Sequence, residues 1–187
     1  MRNLQTVEDN GFTLVEIITV VAIIILLIGM LFPVLRGAME KAKITQTTAL
    51  VTRLDAALYR YQSDWRDYPP STALGGAAAD LPILRTALLS EVEPGGPYEN
   101  FNDKETGTAA GLPAIVDAWK HPILYCHFAQ YDPVWPAWRA NKKKYEFQLV
   151  SPGRSWEALD TDKSGFIENG ELAGTTDADA KNFIKNW

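Results

Sequence analysis

The sequence predicts an α+β protein in which a long, membrane-inserted N-terminal helix packs on a small antiparallel sheet. Three observations support this fold class. An apolar run of about 24 residues ends at Leu35, and a bilayer core takes roughly 20. Helical spacing of apolar residues then continues to Trp65. Two short segments, 122–129 and 144–150, are rich in the aromatic and β-branched residues that favour strands.

The start of the apolar run contains a carboxylate, Glu16. A charged side chain at the centre of a membrane helix costs about 2.5–3.5 kcal/mol on insertion scales, so Glu16 needs a partner. The preceding residues form a polar stretch that ends in Gly11 and is typical of a leader cut after that glycine. Such a cut would place the new amine of Phe12 beside Glu16, as a cation in the same layer of the membrane.

Two simpler interpretations of the N-terminus explain less. An ordinary secretory signal has a shorter apolar core followed by a small-residue cleavage site, and residues 32–36 offer no such site. A plain single-span anchor fits the length but leaves Glu16 unexplained. We therefore expect a leader at 1–11, a helix at 12–66 that spans the membrane to about residue 35 and is then amphipathic, and a globular α+β head at 67–187.

The composition limits the function of the head. About 120 residues remain after the anchor helix, enough for one domain with its own core. The formal net charge of -5 argues against nucleic-acid binding, which normally shows a basic stripe. Cys126 is the single cysteine, so no internal disulfide can form. On a strand it would point away from His121 and His127. The chain is therefore not expected to be an enzyme, since a nucleophile needs an adjacent base.

The part of the helix beyond Pro33 carries an apolar stripe that can cover a sheet. The stripe consists of Ile44, Val51, Leu54, Leu58 and Tyr61. The sequence Tyr68-Pro69-Pro70 ends the helix, because proline disfavours helix in the residue before it. Residues 71–113 are rich in Ala, Gly and Pro, which predicts loops around a short helix near 81–89.

Residues 160–171 match the twelve-residue loop that binds calcium, with Gly165 at its sharp turn. The predicted ligands are the side chains of Asp160, Asp162 and Ser164, the carbonyl of Phe166, Glu168 directly or through water, and Glu171 as a bidentate carboxylate. The alternative is a hydrated acidic turn without metal. A paired EF-hand domain is not expected, since the sequence has no second loop and Pro152-Gly153 leaves little room for an entering helix.

The N-terminal motif resembles that of the type IV pilin and type II secretion pseudopilin superfamily. The resemblance lies in Gly11, Phe12, Thr13, Leu14, Val15, Glu16 and Pro33. It implies a prepilin peptidase that cuts after Gly11 and N-methylates Phe12. It also implies that Glu16 meets the terminal amine of a neighbouring subunit during filament assembly. The leader departs from the family pattern in its low positive charge.

Later segments resemble the major pseudopilins more specifically. Residues 117–125 look like their Asp-Pro-Trp-Gly-x-Pro-Tyr segment, with Ala118 and Lys120 in place of the usual proline and glycine. Residues 145–153 resemble the next strand and its serine-glycine turn, and the chain ends in a similar Asn-Trp. Because that family holds calcium near the C-terminus, the resemblance implies Asp177 and Asp179 as alternative or additional ligands.

The resemblance implies a pilin-like fold and a structural subunit of a periplasmic filament for type II protein secretion. Its partners would be further copies, other pseudopilins, the prepilin peptidase and an inner-membrane assembly platform. The chain would cross the bacterial inner membrane once, with its head in the periplasm. Two alternatives stay open: a type IV pilin for adhesion, motility or DNA uptake, and a membrane-tethered calcium-binding module that never polymerises.

Overall fold

The computed structural model describes residues 12–71, 80–91, 95–109, 111–127, 147–160 and 183–185. It divides into two compact units, Met1–Lys41 and Ala42–Trp187. The described residues form an α+β fold with a long N-terminal helix and small antiparallel sheets. This confirms the predicted fold class.

Helix α1 is Leu14–Trp65 and lies within the predicted helical segment. In the first unit its apolar side chains are exposed throughout. This stretch is long and apolar enough to cross a membrane. Pro33 lies inside the helix without ending it, although a proline there removes one backbone hydrogen bond.

In the second unit, one face of α1 forms the centre of the core. The buried residues are Thr47, Leu50, Val51, Leu54, Ala57 and Leu58, which follow the three- and four-residue spacing of a helix face. The prediction that Ile44 belongs to this stripe is wrong, since its side chain is 45% exposed. The half-buried Lys43 lies one turn before Thr47 on this face instead, with its ammonium 5.8 Å from the centroid of the Trp119 ring.

Helix α2, Asp80–Leu89, confirms the predicted short helix. It places Leu84 and Leu88, four residues apart, in the same core as α1. The predicted strands are also confirmed as an antiparallel pair, β3 at Leu124–His127 and β4 at Phe147–Ser151. A short strand, β5 at Ile184–Lys185, extends this sheet beyond β4. Every residue of β3 and β4 is buried.

A hairpin within the region predicted as loops was not expected from the sequence. Its strands are β1, Thr106–Ala109, and β2, Leu112–Ile115, paired in antiparallel register. Both strands are short, and they contain Gly107 and Pro113, which are residues that disfavour strand interiors. Pro113 is tolerated because a two-stranded ribbon consists of edge strands only. Gly111 adopts φ +77, a left-handed conformation suited to glycine in the connecting turn.

The segment after β4 forms short helical turns. A 3-10 turn at Gly153–Ser155 leads into a one-turn helix, α3, at Trp156–Leu159. A single helical turn is all that fits between Gly153 and Asp160, in line with the prediction that Pro152-Gly153 leaves little room for an entering helix. Pro152 caps the turn with φ -66, the value that its ring fixes and that suits a helix start. The short helix ends beside Asp160.

Candidate functional site

The start of α1 is closed by a reciprocal pair, Thr13 and Glu16. The Glu16 Oε2 atom accepts hydrogen bonds from the Thr13 backbone N–H at 2.8 Å and from the Thr13 hydroxyl at 2.7 Å. The Glu16 backbone N–H in turn donates to Thr13 Oγ1 at 3.3 Å. This is a capping box, in which each side chain satisfies a backbone N–H of the other residue. It matters more in lipid than in water, because an unsatisfied backbone group there costs several kcal/mol.

The capping box was missed when Glu16 was considered alone. Its signal is local, since threonine followed three residues later by glutamate and an apolar run is the sequence signature of this motif. Phe12 lies directly before the box and is 82% exposed. Gly11 lies outside the described residues.

A second constellation, in the head, centres on the buried carboxylate of Asp117, which is 1% exposed. Its Oδ1 accepts the backbone N–H groups of Trp119 at 2.8 Å and His121 at 2.9 Å. Its Oδ2 accepts the hydroxyl of Ser151 at 2.6 Å. The carboxylate thus joins the two segments that resemble the major pseudopilins, 117–125 and 145–153, across the β3 and β4 pair. Three donors on one carboxylate satisfy it fully enough to be buried.

Lys120 occupies the turn position where that family usually has glycine. Its φ is +73, in the left-handed region, which costs a residue with a side chain about 1–2 kcal/mol. Its backbone N–H donates to the carbonyl of Asp117 at 3.0 Å, and its ammonium donates to the carbonyl of Lys104 at 2.8 Å. The turn therefore has the conformation that glycine would adopt, although lysine replaces it.

A chain of contacts leads from this turn to the start of the predicted calcium loop. The His121 ring lies with Nδ1 3.0 Å from the Gly153 carbonyl and stacks on Trp156 at 5.1 Å between centroids. The Trp156 indole N–H donates to Asp160 Oδ2 at 3.3 Å. Asp160 is thus held at the end of α3. The other candidate ligands lie outside the described residues: Asp162, Ser164, Phe166, Glu168, Glu171, Asp177 and Asp179.

The grouping of Asp117, His121 and Ser151 has the residue types of a hydrolase triad but a different geometry. A triad needs the serine bonded to the histidine and the histidine ring bonded to the carboxylate. Here the Ser151 hydroxyl donates to Asp117, and the His121 ring Nδ1 contacts the Gly153 carbonyl. This trio shapes two turns.

Arg53 connects α1 to the segment before β1. Its Nη1 donates to Glu105 at 2.7 Å and its Nη2 to Glu99 at 2.7 Å. These two hydrogen bonds raise the pKa of Arg53 above its usual value. Both carboxylates are largely shielded from solvent. The sequence offered no local signal for these pairs, since the partners are 46 and 52 positions apart.

Comparison with known proteins identifies the family. The chain is similar to type II secretion system core protein G of Pseudomonas aeruginosa, with 31% identity over 122 residues, which is 65% of this chain and 76% of that protein. The chain belongs to this pseudopilin family. No family model matches the chain, and no solved structure matches it significantly.

The pseudopilin is therefore a structural subunit and not an enzyme. Its apolar N-terminal helix anchors it in the inner membrane, with the head in the periplasm.

The first prediction concerns the head. Asp117→Ala leaves two backbone N–H groups and a hydroxyl without their acceptor, so it should lower the free energy of unfolding by about 2–4 kcal/mol. Asp117→Asn keeps one acceptor oxygen and should cost less. Denaturant unfolding of the full chain in detergent, followed by tryptophan fluorescence, measures the head alone because all six Trp lie at or after position 65.

The matched control is Asp103→Ala, an exposed carboxylate of the head in the segment before β1, which should change stability by less than about 0.5 kcal/mol. An unchanged denaturation midpoint in Asp117→Ala would show that this carboxylate does not hold the two turns together.

Proposed function

We propose that this pseudopilin polymerises into a short periplasmic filament that drives type II protein secretion. The proposal rests on its similarity to a type II secretion core protein, supported by the carboxylate at the start of the apolar first part of α1. In the filament it contacts further copies and other pseudopilins, and an inner-membrane assembly platform delivers it. The same similarity favours secretion over the adhesion, motility or DNA uptake of a type IV pilin.

The chain is first processed by a prepilin peptidase, which cuts after Gly11 and N-methylates Phe12. The position of Phe12 supports this step, since it precedes the capping box by one residue and its side chain is exposed. The cut creates a positive charge one turn from Glu16.

Processing is tested by the intact mass of the protein purified from membranes. We expect a chain that starts at methylated Phe12, and Gly11→Ala should leave most of the protein uncut. Asn10→Ala, one residue earlier in the leader, is the matched control and should be processed normally. A mature chain that still carries Met1, or one that starts beyond Leu35, would contradict the proposed cut.

Glu16 has two successive partners in this proposal. Within the described residues, both bonds that its carboxylate accepts from Thr13 use Oε2, so Oε1 can receive the amine of a neighbouring copy. The capping box holds the carboxylate at a fixed position at the helix start, and the filament then supplies the opposite charge. A charge in lipid is stabilised most by a charge of opposite sign.

The capping box provides a control that separates these two partners. Glu16→Gln keeps a capping side chain, because glutamine also serves at this position of the motif, but removes the charge. Glu16→Ala removes both. We expect both variants to insert in the membrane and both to lose filaments, measured by shearing filaments from cells and by cross-linking neighbouring subunits. Filaments from Glu16→Gln at the level of the unaltered protein would show that the cap, and not the charge, is what assembly needs.

Calcium binding by residues 160–171 is the third element of the proposal. It is supported by the loop sequence and by Asp160, whose carboxylate is positioned by the Trp156 indole at the end of α3. Calcium at this loop would stabilise the head, because an ion that binds only the folded state adds about 2.7 kcal/mol at a hundredfold excess over its Kd. Asp177 and Asp179 are the alternative ligands.

Calcium should therefore raise the melting temperature of the full chain in detergent, and a chelator should reverse the effect. Magnesium should do little, since it demands a tighter octahedral site. Glu171→Gln should abolish most of the shift if the loop at 160–171 binds the ion. Asp177→Asn with Asp179→Asn should do so if the ion binds nearer the C-terminus. Identical melting in saturating calcium and in chelator would contradict both sites.

A further inference from the structure

The apolar part of α1 ends at a cation, Arg36. The sequence has no charged residue between Glu16 and Arg36. The guanidinium carbon of Arg36 lies 5.1 Å from the centroid of the Phe32 ring, which belongs to the preceding helical turn. Because side chains on a helix lean toward its N-terminus, the positive charge lies beside the last apolar turn and not beyond it.

The length of the apolar part places this charge at a membrane boundary. Residues 14–35 extend about 32 Å along a helix, and the hydrocarbon core of a bilayer is about 30 Å thick. When this part of α1 spans the inner membrane, Phe32 and Arg36 therefore lie where the hydrocarbon meets the headgroups on the periplasmic side. The Phe32 side chain is 56% exposed, so lipid can reach the pair.

A guanidinium at this level needs a negative partner, because a charge at the edge of the hydrocarbon is costly when nothing compensates it. Glu40 is the acidic residue one turn further along α1. It follows Arg36, whereas the guanidinium is turned back toward Phe32. The phosphates of the lipid headgroups form a layer of anions next to the hydrocarbon, on the side of the membrane where the chain leaves it.

We propose that the Arg36 guanidinium binds the phosphate of a phospholipid in the periplasmic leaflet and thereby fixes the depth of α1 in the membrane. The planar guanidinium offers its N–H donors in a fork that matches two oxygens of one phosphate. The contact with the Phe32 ring is a cation–π interaction, which orients the cation and does not require those donors. This inference rests on membrane anchoring and goes beyond the proposed filament role.

A fixed depth at Arg36 also sets the level of the capping box at the other end of the apolar part. Glu16 precedes Arg36 by 20 positions, which corresponds to about 30 Å along the helix. With Arg36 held at the periplasmic headgroups, Glu16 lies at the cytoplasmic edge of the hydrocarbon. Every subunit in the membrane then presents Glu16 and Thr13 at the same level.

The phosphate contact is tested by solid-state NMR of the full chain in vesicles of phosphatidylethanolamine and phosphatidylglycerol. Arginine carries a carbon isotope label at Cζ, and dipolar coupling to lipid phosphorus weakens the signal of a guanidinium that contacts a phosphate. All samples carry Arg2→Lys, so the leader adds no arginine signal. We expect a coupled signal that Arg36→Lys removes. The matched control is Arg53→Lys, which changes an arginine held by Glu99 and Glu105 in the head and should keep the signal.

Two results overturn the phosphate contact. One is an unaltered Arg36 chain without any arginine signal coupled to phosphorus. The other is a coupled signal that Arg36→Lys leaves in place, because another arginine would then be the one that meets the lipid.

The depth of α1 is measured with Gly37→Cys, since a Cβ atom added at Gly37 meets nothing within 4 Å. The natural Cys126 is buried. In the same vesicles, the rate at which a membrane-impermeant maleimide labels the new cysteine reports how far residue 37 lies outside the hydrocarbon. Adding Arg36→Ala should lower this rate by at least about fivefold, because the first charge after the apolar part then lies one turn later and α1 can sink.

Two variants control the depth measurement. Arg36→Lys should keep at least about half of the labelling rate, because an ammonium also binds phosphate, although as a point charge. Lys41→Ala removes a positive charge further along α1 and should leave the rate unchanged. A rate that Arg36→Ala does not lower overturns the role in depth. Filament assembly enters neither measurement, so a failure of this inference leaves the proposed function standing.

Discussion

The burial of one face of α1 is the constraint on which the head depends. From Thr47 to Leu58 this face is inaccessible to solvent, and α2, the hairpin and the β3 and β4 sheet all contribute residues to the same core. The head has no hydrophobic core without α1, because its strands are short and need a helix to cover them. The N-terminal part of the same helix is exposed and apolar. One helix therefore serves as membrane anchor and as core, and its pattern changes from apolar on all sides to apolar on one side.

Polar groups in the head are satisfied by a few residues that each hold several partners. Asp117 accepts three donors from two turns, and Arg53 donates to two carboxylates from one segment. Tyr125 donates its hydroxyl to the Pro69 carbonyl at 2.7 Å, which fixes the chain where α1 has ended. Such shared partners allow loops to pack without regular structure, because buried polar atoms that lack a partner cost more than a hydrogen bond gains.

The parts of the fold that follow from local patterns were predictable, and those set by distant partners were not. Helix α1 and the β3 and β4 pair were predicted because helical spacing and aromatic or branched runs are visible within a few residues. The β1 and β2 hairpin was not, since Gly107 and Pro113 argue against strands until pairing is known. Ile44 was assigned to the wrong face of α1. The spacing of apolar residues did not show that its neighbour Lys43 is the residue that contacts Trp119. The capping box is the exception, a local signal that was present and missed.

The capping box changes the physical question that Glu16 raises. Considered alone, a carboxylate in an apolar helix is a cost that only assembly can offset. With Thr13 bound to it, the carboxylate also completes the helix start, where backbone N–H groups otherwise lack acceptors. The remaining cost is that of placing the negative charge of Glu16 in lipid. The neutral hydroxyl and backbone N–H of Thr13 offset this cost only in part. In the proposed filament, the helix of each subunit is therefore already closed before a neighbour arrives, and the amine of the neighbour adds a positive charge that Thr13 does not supply.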